Sequence, residues 1–219
     1  MESLAALESE IVGCRSCARL VAWREKVGRD KRAAFRDDDY WARPIPSFGD
    51  DPARILIVGL APAAHGANRT GRVFTGDRSA DFLVAGMHRV GIASQPNSDR
   101  VDDGLRLIGC RMTAAVRCAP PQNAPTPAER TACRPYLVRE LALVRPRVIL
   151  ALGGLAWQET LRAVTPPRPW GRFGHGAEAI LDDVTLLGCY HPSQQNTFTG
   201  RLTPTMLDDV LQRAVALAR

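Results

Sequence analysis

One stretch of the sequence decides the fold, and it is the run Ile55-Leu56-Ile57-Val58-Gly59-Leu60-Ala61-Pro62-Ala63-Ala64-His65-Gly66. Its first four residues are apolar, which is typical of a strand buried in a parallel sheet. A turn of Gly, Ala and Pro follows, and the chain continues to Phe74-Thr75-Gly76-Asp77. A buried parallel strand delivers a ligand-binding loop in this way. We therefore expect the other segments to build the sheet below this loop or to complete a site around it.

The remaining strands and helices alternate along the chain. Apolar runs predict three further strands at residues 110–116, 148–152 and 184–189. Helices are predicted over residues 2–12, from an N-cap at Ser79 to Val90, over residues 155–164, and from Thr203-Pro204 to the end. This alternation predicts one domain, residues 1–219, with a three-layer α/β/α fold and a central, mostly parallel four-stranded sheet.

Several segments interrupt this pattern. Residues 24–51 are charged and irregular, and we expect a functional excursion whose aromatic residues pack on the rest of the molecule. Pro135 predicts a helix break near Cys133, because proline fits poorly inside a helix. Pro166, Pro167 and Pro169 are predicted to end the preceding helix, and a hairpin-like stretch is predicted over residues 170–176.

The composition limits the class of protein. The chain has a net charge of +6 and a pI of about 9.3, which favours a polyanionic partner, although an arginine-rich composition alone would give the same charge. No apolar run reaches the length of a membrane span, and the N-terminus lacks the order of a signal peptide. We expect a cytoplasmic protein with no membrane association, and a monomer, since nothing resembles a dimerisation helix.

Three polar clusters follow predicted strand ends: residues 59–77, 117–123 and 191–196. Ligands bind outside the carboxyl ends of strands in open parallel sheets, so this convergence predicts an enzyme. Taken alone, Gly59-Leu60-Ala61-Pro62 fits an ordinary strand-to-helix turn. It lacks the glycine-rich and Gly-Lys-Ser/Thr phosphate motifs, so no nucleotide cofactor is indicated.

For three polar residues, the sequence is compatible with either a structural or a functional role. His191 precedes Pro192 and a run of uncharged hydrogen-bonding side chains, which favours a functional role over a histidine satisfied by the backbone. His65 fits a loop surface as well as a site. Asp77 can cap the helix that follows it and still serve the site, since a helix N-terminus favours a negative charge.

Four of the six cysteines indicate a metal site. Cys14 and Cys17 form a Cys-x-x-Cys turn, and Cys118 and Cys133 lie among prolines. In a chain expected to be cytosolic, cysteines indicate metal or reactivity before disulfides. Four thiols fit an iron–sulfur cluster or a zinc ion, and their spacing does not choose between them. Cys110 and Cys189 lie in predicted strands, where apolar packing is expected.

Together these segments carry a resemblance over almost the whole chain. The residues concerned are Gly59-Leu-Ala-Pro-Ala-Ala-His-Gly66, Asn68-Arg-Thr-Gly71, Phe74-Thr-Gly-Asp77, Arg117-Cys-Ala-Pro-Pro-Gln-Asn123, Cys133-Arg-Pro-Tyr-Leu137 and His191-Pro-Ser-Gln-Gln-Asn196, together with the excursion of residues 36–44. They resemble the family 5 (type B) uracil-DNA glycosylases of bacteria and archaea.

This resemblance implies a fold, an activity and a cofactor. It implies the uracil-glycosylase fold and excision of uracil, hydroxymethyluracil, ethenocytosine and hypoxanthine from double-stranded DNA, which leaves an abasic site. It also implies a [4Fe-4S] cluster on Cys14, Cys17, Cys118 and Cys133. Ala63 and the segment Thr113-Ala114-Ala115 stand where related families carry selective polar residues, which is consistent with a broad substrate range.

We hypothesise a division of roles within the site. Phe74 stacks on a base flipped out of the duplex. The backbone of Gly59, Leu60 and Ala61 contacts the edge of this flipped base, and so does Asn123 or Asn196. Asp77 stabilises the cationic sugar and orients or deprotonates the water, and His191 donates a hydrogen bond to the departing base.

The DNA contacts are expected from loops around this pocket. Phe198 or a glutamine of the loop after His191 fits a wedge in the vacated stack, and Phe198 fits core packing as well. The other candidates are His65, Arg69, Arg72 and Arg201. Two other classes stay open: a non-enzymatic nucleic-acid-binding module with a metal cluster, and a small-molecule nucleoside hydrolase, which the basic pI disfavours.

Overall fold

The computed structural model describes residues 2–164 and 171–219. Within these ranges the chain forms eight α-helices and one six-stranded sheet. In chain order the elements are α1 (Leu4–Gly13), α2 (Ala18–Asp30), β1 (Phe48–Gly49), β2 (Ile55–Gly59), α3 (Ala67–Thr70), α4 (Arg78–Arg89), β3 (Cys110–Ala114), α5 (Pro127–Val144), β4 (Val148–Leu152), α6 (Gly154–Val164), β5 (Glu178–Leu181), β6 (Val184–Cys189), α7 (Gln194–Phe198) and α8 (Pro204–Leu217). Short 3-10 turns lie at Ala33–Phe35 and Pro121–Asn123.

The sheet has the strand order β1-β3-β2-β4-β6-β5. Its four central strands are the predicted ones, and they are parallel to one another. The prediction of four strands is incomplete, because β1 and β5 add antiparallel edges. Two residues of β1 and a half-exposed β5 give too little apolar pattern to predict.

The sheet lies between two layers of helices, which confirms the predicted α/β/α architecture. Ile55 and Ile57 of β2 pack in an apolar core on one face, together with residues of α4 and α8. Leu56 and Val58 pack in the core on the other face, with α5 and α6. Successive strand residues thus enter opposite cores, which explains why the strand is apolar at every position.

Two helix boundaries differ from those predicted. The chain remains helical through α2 to Asp30, so the irregular excursion begins at Lys31 and not at Arg24. The N-cap of α4 is Asp77, not Ser79, because the Asp77 carboxylate accepts the amides at the start of the helix. Within the described residues, no helix is long and apolar enough to cross a membrane.

The predicted break near Cys133 is wrong, because α5 is continuous and contains Pro135. A proline inside a helix costs about 3 kcal/mol. The helix begins with a capping box, in which Thr126 and Glu129 satisfy each other's backbone amides. Buried Leu137 and Leu141 anchor its later turns in the core, so capping and packing offset the lost hydrogen bond.

The excursion packs as predicted on the loop that follows β2. The Trp41 and Ala42 amides donate to the Arg69 and Asn68 carbonyls at 2.9 and 3.0 Å. The Tyr40 hydroxyl is hydrogen-bonded to His65 Nδ1 at 2.9 Å. The predicted prolines after α6 and the start of the predicted hairpin-like stretch lie outside the described residues.

Candidate active site

A cavity of about 420 Å³ opens at the carboxyl ends of the parallel strands. It is formed by the end of β2, by the loops after β3 and β6, and by the N-terminus of α4. This volume suits a small organic ligand. Of the predicted site residues, the wall contains Gly59, Leu60, Ala61, Phe74, Asp77, Asn123 and His191.

Asp77 faces the cavity from the N-cap of α4. Burial raises the pKa of its carboxyl, while the Ala80 and Ser79 amides and the Arg69 charge oppose that rise. The two amides donate to Oδ1 at 3.0 and 2.9 Å. Oδ2 lies against Gly66, where an added Cβ would be 2.0 Å away. A carboxylate held through one oxygen keeps the other for a water molecule or a developing cation.

Phe74 lies over the end of β2. A Cβ on Gly59 would lie 2.7 Å from Cζ of the Phe74 ring, so a glycine is needed to leave room for the ring. The Phe74 backbone has a φ of 48°, which is uncommon for a bulky residue. Ser98 Oγ stabilises this conformation by donating to the Phe74 carbonyl at 2.9 Å. Backbone strain of this kind is concentrated at functional sites.

His191 follows β6 and lines the same cavity. Burial lowers the pKa of the imidazole to about 4, so the ring is neutral at neutral pH. A neutral imidazole has one N–H and can donate a hydrogen bond without carrying a charge. Asn196 Nδ2 donates to the His191 carbonyl at 2.8 Å. Asn196 thus supports this loop and is not among the residues that line the cavity, and its contact with the base stays a prediction.

Asn123 lines both the cavity and a groove beside it. Gln122 and Asn123 have φ values of 56° and 57°, which give the loop after β3 a sharp left-handed turn. Gln122, Ser193 and Gln195 also line the cavity, and no contact with the flipped base was predicted for them. All three lie in segments that carry the family resemblance, and that was the available signal.

The adjoining groove, of about 1040 Å³, shares Ala63, Asp77 and Asn123 with the cavity. His65 and Arg69 line this groove. Burial and the Arg32 and Arg69 charges lower the pKa of His65, which favours its neutral form. All three guanidinium nitrogens of Arg69 donate to acceptors within the protein.

Arg72 is only 4% exposed, so its expected contact with phosphate is corrected. Its guanidinium donates to Thr75 Oγ1 at 2.9 Å, to Ser98 Oγ at 3.1 Å and to Asp103 Oδ2 at 2.6 Å. Arg72 therefore braces the loop below Phe74. It presents no donor to a surface that DNA could reach.

Two other predicted DNA contacts are exposed. Phe198, at the end of α7, is 68% exposed, so the alternative of core packing is wrong. The Arg78 guanidinium lies 5.5 Å from the centre of its ring. The exposed Arg201 stacks over Tyr190 at 4.7 Å. Both side chains are available to a partner at the surface.

The four predicted metal ligands line a single pocket. Cys14 and Cys17 come from the connection between α1 and α2, Cys118 follows β3, and Cys133 lies in α5. Among the described residues, no three His, Cys, Asp or Glu side chains are arranged to hold a metal ion. Four thiols lining one pocket would be a donor set for an iron–sulfur cluster or a zinc ion.

The surroundings of these thiols suit an iron–sulfur cluster. Arg24 Nη1 donates to Cys118 Sγ at 2.9 Å, and the Arg117 amide donates to Cys133 Sγ at 3.3 Å. Hydrogen bonds to sulfur are a usual feature of cluster sites. Cys110 and Cys189 are buried in β3 and β6 as predicted, and burial raises the pKa of both thiols to about 12.

Comparison with known proteins identifies the family to which a chain with this fold and cavity belongs. Residues 46–215 match the family model of the uracil DNA glycosylase superfamily. The chain is 58% identical over 222 residues to the type-5 uracil-DNA glycosylase of Mycobacterium tuberculosis, covering 99% of this chain and 82% of that protein. It is 51% identical to the type-5 enzyme of Thermus thermophilus, over 97% of each chain.

A more distant relative lies outside the type-5 group. The type-4 uracil-DNA glycosylase of Archaeoglobus fulgidus is 31% identical over 199 residues, which cover 88% of this chain and 83% of that protein. The chain therefore belongs to the uracil DNA glycosylase superfamily and, within it, to the type-5 uracil-DNA glycosylases.

Proposed function

We propose that this protein removes uracil from DNA by hydrolysing the glycosidic bond, which leaves an abasic site. The observation that carries the proposal is that Asp77 and His191 line one cavity in a member of this superfamily. A binding module would instead present aromatic and arginine side chains along an open groove. Convergence of these two side chains on one cavity favours the enzyme.

The first step is extrusion of the nucleotide, because the glycosidic bond is inaccessible inside the base stack. Phe74 offers a flat apolar surface for the flipped base. The backbone of Gly59, Leu60 and Ala61 and the Asn123 amide are placed to contact its edge. Phe198 is the residue that we assign to the vacated space in the duplex, and Arg201 is our candidate for a contact with the phosphate backbone.

Bond cleavage creates a cationic sugar and an anionic base, so the site has to stabilise two opposite charges. Asp77 stabilises the sugar and orients or deprotonates the attacking water through Oδ2. His191 donates its N–H to the carbonyl oxygen of the departing base. A neutral imidazole suits this role, because it is pre-formed as a donor and no proton has to be gained at neutral pH.

An excision assay tests this function directly. The protein is incubated with an end-labelled duplex that contains one uracil, and abasic sites are detected as alkali-labile breaks, with free deoxyuridine as the parallel substrate. We expect breaks from the wild type and at least about a hundredfold slower cleavage by Asp77→Asn. If the protein binds the duplex but makes no breaks, it is a nucleic-acid-binding module and not an enzyme. If it cleaves only free deoxyuridine, it is a nucleoside hydrolase.

We further propose that hydroxymethyluracil, ethenocytosine and hypoxanthine are excised as well. Ala63 and Ala114 line the cavity with methyl groups, so neither position imposes a polar contact on the edge of the base. Matched duplexes with each base test this proposal. Excision of uracil alone would contradict it and leave the uracil activity untouched.

We also propose that Cys14, Cys17, Cys118 and Cys133 hold a [4Fe-4S] cluster. Four thiols lining one pocket, with N–H donors on two of the sulfurs, support this assignment. A cluster on these four cysteines would cross-link the α1–α2 connection, α5 and the loop after β3, and so would stabilise the fold.

The test is to purify the protein without oxygen and to measure its iron and sulfide content and its visible absorption. Cys133→Ser should lose the absorption, and Cys189→Ala, a buried cysteine outside the pocket, should keep it. Zinc in place of iron and sulfide would overturn the cluster.

A further inference from the structure

We propose that Arg69 is a positioning residue for Asp77. It holds Asp77 in place through the backbone of Gly76, and it is itself held by Phe35 and Asp38 of the irregular excursion. This inference rests on the role of Asp77 in the proposed function. It assigns Arg69 a role different from the phosphate contact expected from the sequence.

The Arg69 side chain connects three segments. Nε donates to the His65 carbonyl at 2.8 Å, Nη1 to Asp38 Oδ2 at 2.6 Å and Nη2 to the Gly76 carbonyl at 3.0 Å. The guanidinium also lies 4.0 Å from the centre of the Phe35 ring, which is a favourable cation–π distance. Arg69 is therefore bonded to its own loop, to the excursion and to the residue before Asp77.

These bonds leave little of Arg69 for DNA. Each of the three guanidinium nitrogens has an acceptor within the protein, and the side chain is 12% exposed. Bidentate binding of a phosphate needs two N–H groups on one free edge. Three of the five N–H groups of Arg69 are engaged in these bonds, so a phosphate here would compete with Asp38 and the two carbonyls for the guanidinium.

Gly76 is the point at which Arg69 acts on Asp77. The Gly76 amide donates to the Ser98 carbonyl at 2.7 Å, and its own carbonyl accepts from Arg69, so both sides of the residue are held. Its φ of 76° needs a glycine, and a Cβ there would lie 2.5 Å from Arg69 Nη2. Asp77 is consequently fixed from α4 on one side and through Gly76 on the other.

The charge of Arg69 supports the same role. The charged and titratable groups around Asp77 are Arg69 from α3, Arg78 and Asp81 on the helix that Asp77 caps, His65, Asp99 and Arg100 in the groove, and His191, which is neutral, in the cavity. Burial raises the pKa of Asp77, and Arg69 opposes this rise. Removing the charge should extend the protonated form of Asp77 to higher pH.

The experiment compares Arg69→Gln and Arg69→Lys with Arg89→Gln, which removes one positive charge from the far end of α4. Single-turnover excision is measured at saturating enzyme from pH 5 to 9. Affinity is measured on a duplex with a non-hydrolysable deoxyuridine analogue at several salt concentrations. Asp77→Asn is measured in parallel.

We expect Arg69→Gln to lower the saturated rate about tenfold or more, as misplaced catalytic groups do. The acid limb of its pH profile should move to higher pH, and its affinity should match that of Arg89→Gln. Arg69→Lys keeps the charge but cannot reach three acceptors. It should therefore restore the acid limb and only part of the rate.

Two results would overturn the proposal and are distinguishable. A wild-type saturated rate in Arg69→Gln, with weaker binding and a salt slope smaller by about one, would make Arg69 a phosphate contact. A wild-type rate in Asp77→Asn would refute the role of Asp77 and the positioning role with it.

If thermal denaturation shows that Arg69→Gln does not fold, a second variant tests the proposal in its place. Asp38→Asn then removes one acceptor and leaves the charge of Arg69 in place. The proposal predicts a lower saturated rate with unchanged affinity, and a wild-type rate in both Asp38→Asn and Arg69→Lys overturns it.

Discussion

Replacing Gly66 with alanine tests whether the position of the Asp77 carboxylate limits the reaction. The new Cβ would lie 2.0 Å from Asp77 Oδ2 and 2.9 Å from its Cγ, whereas Cβ atoms in proteins essentially never approach within 3.0 Å. The carboxylate therefore has to move by at least about 1 Å, and a misplacement of that size can cost about a hundredfold in rate. This corresponds to about 2.7 kcal/mol of transition-state stabilisation.

The rate and the affinity have to be measured separately. Single-turnover excision from a uracil-containing duplex at saturating enzyme gives the rate. Titration of a labelled duplex with a non-hydrolysable deoxyuridine analogue gives the affinity, and thermal denaturation reports folding. We expect a much lower rate with nearly unchanged affinity, since Gly66 is buried and has no side chain to contact DNA.

Gly171→Ala is the matched control, because an added Cβ there meets nothing within 4 Å. It should behave as the wild type in all three measurements. A wild-type rate for a folded Gly66→Ala would refute the reasoning, because it would show that moving the carboxylate does not matter. Rate and affinity falling together would also refute it, since Gly66 would then act in binding.

Three other substitutions test separate parts of the structure. Gly59→Ala places a Cβ 2.7 Å from the Phe74 ring, and we expect excision at least about tenfold slower in single-turnover kinetics. Wild-type His191 has a pKa of about 4 when folded and about 6.5 when unfolded. Between these values the unfolded state binds more protons, so the free energy of unfolding is highest above pH 6.5 and falls as the pH is lowered to 4. His191→Gln should therefore lose less unfolding free energy than the wild type over that range in urea titrations. Arg117→Met leaves buried Glu140 without its cation and should lower the free energy of unfolding by roughly 3–5 kcal/mol in urea denaturation. Adding Glu140→Gln to this variant should restore part of that loss, because it removes the unpaired charge.

The four central strands could be predicted because each is almost continuously apolar, as β4 is over Val148–Leu152. The edges could not be predicted, since β1 has only two residues and β5 pairs on one side alone. The helix through Pro135 was mispredicted for a different reason. Local preference argues for a break there, and tertiary packing of the turns on either side overrides it.

The candidate site was only partly predictable. Motifs identified which loops meet, because parallel strands bring their carboxyl ends to one edge. They could not separate an arginine that faces solvent from one that braces a loop, because Arg69, Arg72 and Arg201 look alike in sequence. The contacts of Asp38 with Arg69 and of Asp103 with Arg72 decide between these roles. Both pairs span about thirty residues along the chain, beyond the reach of local patterns.

The structure also shows why glycines stand at two positions of the loop that follows β2. In a phosphate-binding loop, glycines expose backbone amides to the ligand, so replacing them mainly weakens binding. Here Gly59 makes room for Phe74 and Gly66 makes room for Asp77, so each glycine accommodates a side chain from residues 74–77. The two segments therefore act as one unit, and substitutions in the first should reproduce the effects of substitutions in the second. That equivalence follows from close packing and needs no polar residue at Ala63.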